Sequence, residues 1–380
     1  AVEFGHVVGD DPTQVSIMGQ LLVLWRDSTG RVNAQSDVCI HRGGSLSGGR
    51  VRGNCIECPY HGWQFDNEGA CTRIPANRPD LPIPVASRPA VTRGSTSTQE
   101  AFGRVLASLA DVDGVGERLV TTAPDVSIST NLGGFINKRG VYSHVERNDH
   151  GGADRLLKWA PGPTGQHIEL GISEMNLFML LGQLGLSHDH HDRHLLPVGT
   201  VYDPFVLRGL DAFIYGLYND ARFVVAGTPA GVTLAPEGGA HQSTITASVG
   251  AELPNLVYAE PAYATEVDWL LCDALDQLGR DDGTSTYLRL STRPIDQAPF
   301  AAVLEAVGEE RLRRQVLDGG YRLLDAPDDG RPGVTIVTTG VMAPDALAAA
   351  AELDGEGVQA SVIHLTSPDR VYRSWRAGFA

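Results

Sequence analysis

Two Cys-His pairs set the tightest limit on how this chain can fold. Cys39-x-His41 and Cys58-x-x-His61 are separated by 16 residues and sit among Gly and Pro. Two loops that each offer one thiolate and one imidazole predict a 2Fe-2S centre, with the two thiolates on one iron and the two imidazoles on the other. Replacing two thiolates by neutral imidazoles raises the potential of such a centre above that of an all-Cys ferredoxin. One-electron transfer is therefore the expected chemistry. Loops that close around sulfide need close backbone approach and positive φ, which Gly43, Gly44 and Gly62 allow. Trp63 and Phe65, beside the second loop, and nearby backbone N–H groups are candidates to tune the sulfurs.

Cys55-x-x-Cys58 with His41 and His61 also fits a four-ligand zinc knuckle. Zinc would leave unexplained why both loops repeat the Cys-then-His order. Cys55 and Cys71 are expected to pack near the centre as small hydrophobes. The run Cys39, His41-Arg42-Gly43, Leu46, Gly49, Cys58-Pro59-Tyr60-His61-Gly62-Trp63, Phe65-Asp66, Gly69, Cys71 and Ile74-Pro75 resembles the Rieske domain of ring-hydroxylating oxygenases. The resemblance covers residues 1 to about 90. The respiratory type of that domain carries a further Cys in each loop, joined as a disulfide. Those places are similar to Gly44 and Tyr60 here, which implies the oxygenase or ferredoxin type.

A chain of 380 residues with 42% hydrophobic content is long enough for two or three domains with real cores. Thirty Lys and Arg against 46 Asp and Glu give a formal charge of −16, which repels nucleic acid and anionic membranes. Four of the five Cys lie in and around the ligand loops and one, Cys272, elsewhere; this suits a reducing interior rather than a disulfide framework. No apolar run approaches the ~18 residues of a membrane span and no signal peptide opens the chain, so the expectation is a soluble, cytoplasmic protein. The chain opens at Ala1 without Met and its last pattern stops abruptly, which reads as one or both ends missing.

Up to about residue 86 the pattern is short strands and turns, as in Leu21 to Asp27, Ser28-Thr29-Gly30 and Val32 to Val38. The Pro-rich stretch Pro82 to Pro89 and Arg93-Gly94-Ser95-Thr96 read as a linker. Ser97-Thr98-Gln99-Glu100 then forms a capping-box pattern ahead of Phe102, Val105, Leu106 and Leu109 on one helical face. Beyond it, apolar runs at Leu119 to Thr122, Leu195 to Val201, Arg222 to Ala226 and Thr286 to Leu290 alternate with helical patterns, predicting α/β with a mostly parallel sheet. The segment Met175 to Leu186 is apolar on nearly every face and is expected in a core or a subunit interface. Strand Val334 to Thr339, helix Ala343 to Leu353 and strand Val358 to Leu365 begin a further α/β domain.

Glu174 sits where a strand feeds the apolar helix; by position alone it reads as a surface acid in a first helical turn, stabilised by the helix dipole. The segments Thr130 to Gly134, Gln166 to Glu174, Gly199 to Phe205 and Pro236 to Ser243 resemble the pyrimidine-binding domain of thiamine-diphosphate enzymes, the decarboxylating component of pyruvate dehydrogenase and, more distantly, transketolase. The resemblance runs from about residue 97 to 380. It implies that Glu174 serves the aminopyrimidine nitrogen as essential acid and that His241 stabilises or protonates the substrate adduct. It also implies Phe205 as a stacking partner of the aminopyrimidine and Asp125 as an acid near the thiazolium. Their plain alternatives are a core Phe and a strand-end Asp that satisfies loop N–H groups.

His188-Asp189-His190-His191-Asp192-Arg193-His194 invites a metal assignment, but polar residues on a helix-to-strand connection are usually solvated. The loop also lacks a distant carboxylate for a two-His, one-carboxylate iron site. No catalytic domain for mononuclear iron is recognisable after residue 97, and no Gly-Asp-Gly with a downstream Asn for magnesium diphosphate; Asp282-Gly283 and Asp329-Gly330 lack the preceding Gly. The expected layout is an all-β Rieske domain (1–93), a transketolase-like pyrimidine-binding domain (97–330) and a truncated start of a transketolase C-terminal-like domain (331–380). Three functions fit. The chain is an oxidoreductase component with a 2Fe-2S centre, taking thiamine diphosphate and Mg only with a partner domain; its expected partners are a further copy of itself or a diphosphate-binding subunit, and an electron-transfer protein. Alternatively it is the Rieske electron-transfer module of an oxygenase system with a non-catalytic α/β platform, or a fusion of two gene fragments.

Overall fold

The computed structural model describes residues 8–60, 62–73, 82–145, 161–191, 193–232, 237–280, 282–327 and 329–378. The chain divides into two compact units, Ala1–Pro79 with Ser187–His194, and Asp80–Leu186 with Leu195–Ala380. No described helix is long and apolar enough to cross a membrane.

The first unit is built from antiparallel strands. β1 (Thr13–Ile17), β2 (Gln20–Arg26) and β3 (Val32–Ser36) form a meander. Met18 and Gly19 join β1 to β2 with φ of 51° and 81°, the left-handed pair that matches strand twist in a two-residue hairpin. Asp27 organises the next turn by accepting from the N–H groups of Thr29 and Arg31. A second sheet comprises β4 (Arg50–Arg52), β5 (Cys55–Glu57), β6 (Gln64–Phe65) and β7 (Cys71–Arg73). Val23, Trp25, Leu46, Ile56 and Phe65 form the core, together with Cys39 and Cys58. Cys55 and Cys71 do not join it, contrary to expectation. Cys71 is exposed, opposite Phe65 where the register shifts, and Cys55 is half-buried with its Sγ 3.3 Å from Thr72 Oγ1.

The second unit opens with β8 (Ser95–Thr96) and α1 (Thr98–Leu109). Ser97 caps α1, its Oγ accepting from the N–H of Glu100. The Glu100 carboxylate does not return to Ser97 but accepts from Thr96 Oγ1 and Arg104. Phe102, Val105, Leu106 and Leu109 form the buried face. The main sheet contains β9 (Leu119–Pro124), β10 (Val141–Tyr142), β11 (Pro161–Gly162), β12 (His167–Leu170), β13 (Leu196–Val201), β14 (Val224–Gly227), β15 (Leu256–Ala259) and β16 (Ser285–Arg289). Every pairing is parallel, in the order β11-β10-β12-β9-β13-β14-β16-β15.

Helices cover both faces, so the central strands carry continuous apolar runs. On one face α1, α2 (Gly133–Arg139) and α7 (Ala264–Gln277) enclose Phe102, Leu106, Phe135, Leu196, Leu271 and Leu288. On the other, α3 (Glu174–Gly185), α5 (Leu210–Tyr218) and α6 (Thr246–Glu252) enclose Phe178, Leu181, Phe213, Phe223 and Tyr258. Each fully buried aromatic or aliphatic side chain here contributes roughly 1.5–3 kcal/mol. The short helix α4 (Ser187–His191) belongs to the first unit. Helix α3 is buried through Leu177, Phe178 and Leu181, while Met175 and Met179 are exposed. Together with Ile214 and Tyr215 of α5 they form an apolar face that is exposed among the described residues.

The C-terminal part adds β17 (Ile295–Asp296), paired with β8, then α8 (Ala298–Val307) and α9 (Glu309–Asp318). A three-stranded sheet follows from β18 (Gly320–Leu324), β19 (Gly333–Thr339) and β20 (Gln359–Leu365), in the order β18-β20-β19. Helix α10 (Ala343–Gly355) packs on it and α11 (Pro368–Ala377) ends the described chain. Fully buried Glu266 of α7 locks this part in place: it accepts from Tyr321 OH at 2.7 Å and faces His364 Nε2 at 3.3 Å. Burial by itself would raise its pKa. The His364 ring, the N–H of Tyr263 and Tyr321 outweigh that and hold the carboxyl below its ordinary range.

Candidate metal and cofactor sites

The two ligand loops of the first unit share one backbone pattern. The N–H of Cys39 donates to the carbonyl of Gly44 at 2.8 Å, and the N–H of Gly43 donates back to Cys39 at 2.9 Å. In the second loop the N–H of Cys58 donates to Trp63 at 2.8 Å and that of Gly62 to Cys58 at 3.0 Å. Gly43 and Gly62 hold equivalent places, with φ of 73° and 70°, where a side chain would strain the turn. A Cβ on Gly44 would lie 3.1 Å from Cys58 Sγ and 3.2 Å from Tyr60 Cβ, so a side chain there would crowd the facing loop.

Both thiols are buried. Burial pushes the Cys39 thiol up, and the neighbouring Cys58 adds to the shift, partly offset by backbone hydrogen bonds. A buried thiol raised in this way is held as a thiolate most easily against a cation, which is the chemistry of an iron ligand. The His41 ring stacks on Trp63 with centroids 4.5 Å apart and planes 7° from parallel. His61 lies outside the described residues. The donor set that is described, two buried thiols and one oriented imidazole on matched loops, fits a 2Fe-2S centre. Cys55, the extra thiol a zinc knuckle would draw on, has its Sγ 3.3 Å from Thr72 Oγ1. Among the described residues no three His, Cys, Asp or Glu side chains converge as a metal site, so the assignment of the loops rests on their donor types and matched backbone. In the His-rich segment the rings of His188 and His194 are 5.7 Å apart, and those of His190 and His191 are 6.2 Å apart. Asp192 is outside the described residues.

In the second unit the other candidates gather at the C-terminal ends of the parallel strands. The chain passes from β12 to β13, on opposite sides of β9, through α3. This reversal is the kind of switch point where open α/β sheets bind ligands. Glu174 starts α3 after β12 and is buried at 7% exposure, not on the surface. Its carboxylate accepts from Arg208 Nη1 at 3.3 Å. The same guanidinium lies 3.7 Å over the Phe205 ring. Phe205 follows β13 in a 3-10 turn spanning Asp203–Gly209, and its ring is 5.5 Å from that of His241. Tyr202 closes the group, 6.1 Å from Phe205 and 5.6 Å from His241. Glu174, Phe205 and His241 are thus joined through Arg208 and the aromatic rings.

Asp125 follows β9 in left-handed conformation, φ 65°, and is exposed. The loop N–H groups are not satisfied by its carboxylate. Glu169 does that work, accepting from the Asp125 N–H at 2.9 Å and from Ser127 Oγ at 2.6 Å while His167 Nε2 lies 3.1 Å away. Burial opposes the charge on Glu169, but His167 and Ser127 hold its carboxyl below the ordinary range. Tyr202 OH donates to Ser129 Oγ at 2.9 Å, tying the Asp125 loop to the Phe205 turn.

Asp203 and Arg289 went unrecognised in the sequence. Asp203 is fully buried and accepts from Tyr287 OH, Ser243 Oγ, Thr246 Oγ1 and Arg289 Nε. Arg289 also meets both oxygens of Glu260 at 3.0 Å. Burial works against its charge, but Glu260 and Asp203 keep it firmly protonated. This network anchors the turn that carries Phe205 to the segment that carries His241. The available signal was an Arg closing the apolar run Thr286 to Leu290, since a charge at a buried strand end needs a buried partner.

An acid, an aromatic face and a His at a switch point are the groups an aminopyrimidine would need, and they fit that half of thiamine diphosphate. Comparison with known proteins bears on the family and the fold. The Rieske [2Fe-2S] domain model matches residues 3–92 and the transketolase C-terminal domain model residues 327–374. The aminopyrrolnitrin oxygenase of Pseudomonas fluorescens is 34% identical over 100 residues, 25% of this chain and 26% of that protein. The chloroplastic pheophorbide a oxygenase of Oryza sativa subsp. japonica is 44% identical over 79 residues, 20% of this chain and 15% of that protein. The chain therefore spans about a quarter or less of these relatives. Among solved structures, the transketolase of Leishmania mexicana matches with TM-score 0.59 and 20% identity over 78% of this chain and 39% of its own. An inactive β4 tetramer of a split-gene transketolase matches with TM-score 0.51 and 19% identity, covering 75% of this chain and 76% of its own. The model of the pyruvate dehydrogenase E1 component middle domain matches residues 79–292, more than half of the sequence, and the chain belongs to that family, carried here behind a Rieske domain.

Proposed function

We propose that this protein is one component of an oxidoreductase that acts on a 2-oxo acid with thiamine diphosphate, in a reducing compartment such as the cytoplasm, and passes the electrons singly to a Rieske centre. The carrying observation is that one chain holds matched Cys-His loops and, on its α/β unit, Glu174 joined through Arg208 to Phe205 beside His241. Cys39, His41, Cys58 and His61 would hold the 2Fe-2S centre. Glu174 would hold a proton at the aminopyrimidine ring nitrogen, Phe205 would stack on that ring, and His241 would move a proton on the substrate side. Asp125, exposed at the end of β9, would face the thiazolium. The bound cofactor would supply the carbon nucleophile that cleaves the 2-oxo acid. The layout is 1–93, 97–330 and 331–380, as the sequence motifs divide it.

No Gly-Asp-Gly with a downstream Asn lies within these 380 residues, so the diphosphate and Mg would be held outside them, as by a partner subunit. The face of Met175, Met179, Ile214 and Tyr215, exposed among the described residues, would receive that subunit or a further copy of this chain. Calorimetry with thiamine diphosphate and Mg should show little binding to this chain by itself and tight binding after a diphosphate-binding subunit is added. Pyruvate should then bleach the visible absorption of the iron–sulfur centre. Tight binding without bleaching would sink the electron-transfer half of the reading.

The oxygenase relatives matched over the first unit support a second reading, in which the Rieske centre serves an oxygenase and the α/β unit is a platform. Under that reading an oxygenase reductase bleaches or re-reduces the centre, and pyruvate with thiamine diphosphate has no effect.

A further inference from the structure

We propose that Asp37 is a positioning residue that keeps the iron–sulfur centre at a lower potential by fixing an uncompensated negative charge beside the first ligand loop. This rests on the reading of Cys39, His41, Cys58 and His61 as 2Fe-2S ligands.

Asp37 follows β3, two residues before Cys39, and is 1% exposed. Its Oδ1 accepts from the N–H of Ser47 at 2.6 Å. Its Oδ2 accepts from Ser45 Oγ at 2.7 Å, from Ser47 Oγ at 3.0 Å and from Gln14 Nε2. Its carbonyl accepts from the N–H of Leu46 at 2.8 Å. Every donor is neutral, and among the described residues no Arg, Lys or His pairs with this carboxylate.

The second loop is arranged differently. Glu57, next to Cys58, is also buried, but it meets Arg50 Nε at 2.6 Å and Arg52 Nε at 3.7 Å. The charge there is matched, whereas the charge at Asp37 is not. Reduction adds one electron to the centre, and a nearby buried anion opposes that electron far more than a surface charge does, since water and salt screen it poorly. The same carboxylate pins Ser45 and Ser47, so the charge has a fixed place relative to the Cys39–Gly44 turn.

The test is a redox titration of the full chain with its centre reconstituted, followed by EPR and visible absorption. Asp37→Asn should move the midpoint to more positive values with iron, sulfide and g-values unchanged. Ser45→Ala strips a donor from the carboxylate and leaves its charge less shielded, so it should move the midpoint the opposite way. An Asp37→Asn protein with a full centre and an unmoved or more negative midpoint overturns the proposal. If that variant loads no centre, the Ser45→Ala midpoint decides, and an unmoved or more positive value overturns it. Failure of the unaltered chain to take up iron and sulfide would remove the cluster reading itself, a result separate from either midpoint.

Discussion

In the first unit Cys39 and Cys58 meet because two short loops repeat the same pair of backbone hydrogen bonds, each with a glycine at positive φ. In the second unit Glu174, Phe205 and His241 come from three widely separated segments, and nothing local about any of them creates the site. They meet because parallel strands end on one edge of a sheet, and because buried Asp203 and Arg289 clamp the connecting turns. A site made by local loops tolerates change in the surrounding fold but not in its ligands. A site made by topology depends on buried polar links that lie far from the reacting atoms.

The sharpest way to break this contrast is Cys58→Ser. Iron and acid-labile sulfide should fall to near zero and the EPR signal vanish, while the circular dichroism and the melting transition of the α/β unit persist. Joint melting of both units would mean that the centre supports more than its own loops. Next in size is Glu174→Gln in a mixture with the diphosphate-binding subunit. Pyruvate-dependent reduction of the centre should slow by roughly 10²–10⁴-fold, the usual worth of a general acid, with iron content unchanged. Full activity would remove Glu174 from the chemistry.

Glu266→Gln tests the buried links themselves. Removing one member of a buried pair costs about 3–5 kcal/mol, so the urea midpoint of the α/β unit should drop while the iron centre remains. The pH dependence has a defined sign. The folded pKa of Glu266 lies below its unfolded value of about 4.3, so its contribution is present above that pH and is lost as pH falls through the folded value. Urea midpoints from pH 6 down to pH 3 should fall more in the unaltered chain than in the Gln variant. The smallest effect is Ser97→Ala, which removes the cap of α1 and should cost about 1 kcal/mol in thermal unfolding.

Much of the architecture was legible. The Ser97 cap, the strands after Leu119 and Leu195, and the β-α-β pattern from Val334 stand within a residue or two of where hydrophobic periodicity places them. Glu174 was harder. A first-turn acid reads as exposed until the turn spanning Asp203–Gly209 is folded over it. Helix α3 likewise reads as apolar all round, and only its packing separates the buried Leu177 and Leu181 from the exposed Met175 and Met179. The Asp203–Arg289 and Glu266–His364 pairs were invisible because their partners lie 86 and 98 residues apart, beyond any local pattern.

The sequence alone determined the Cys-His spacing of the Rieske loops and the succession of strands and helices, because loop glycines and apolar periodicity act over a few residues. Tertiary structure decided which acid is buried, which helix face stays uncovered and which strand ends meet, because those outcomes depend on surfaces brought together across the whole sheet.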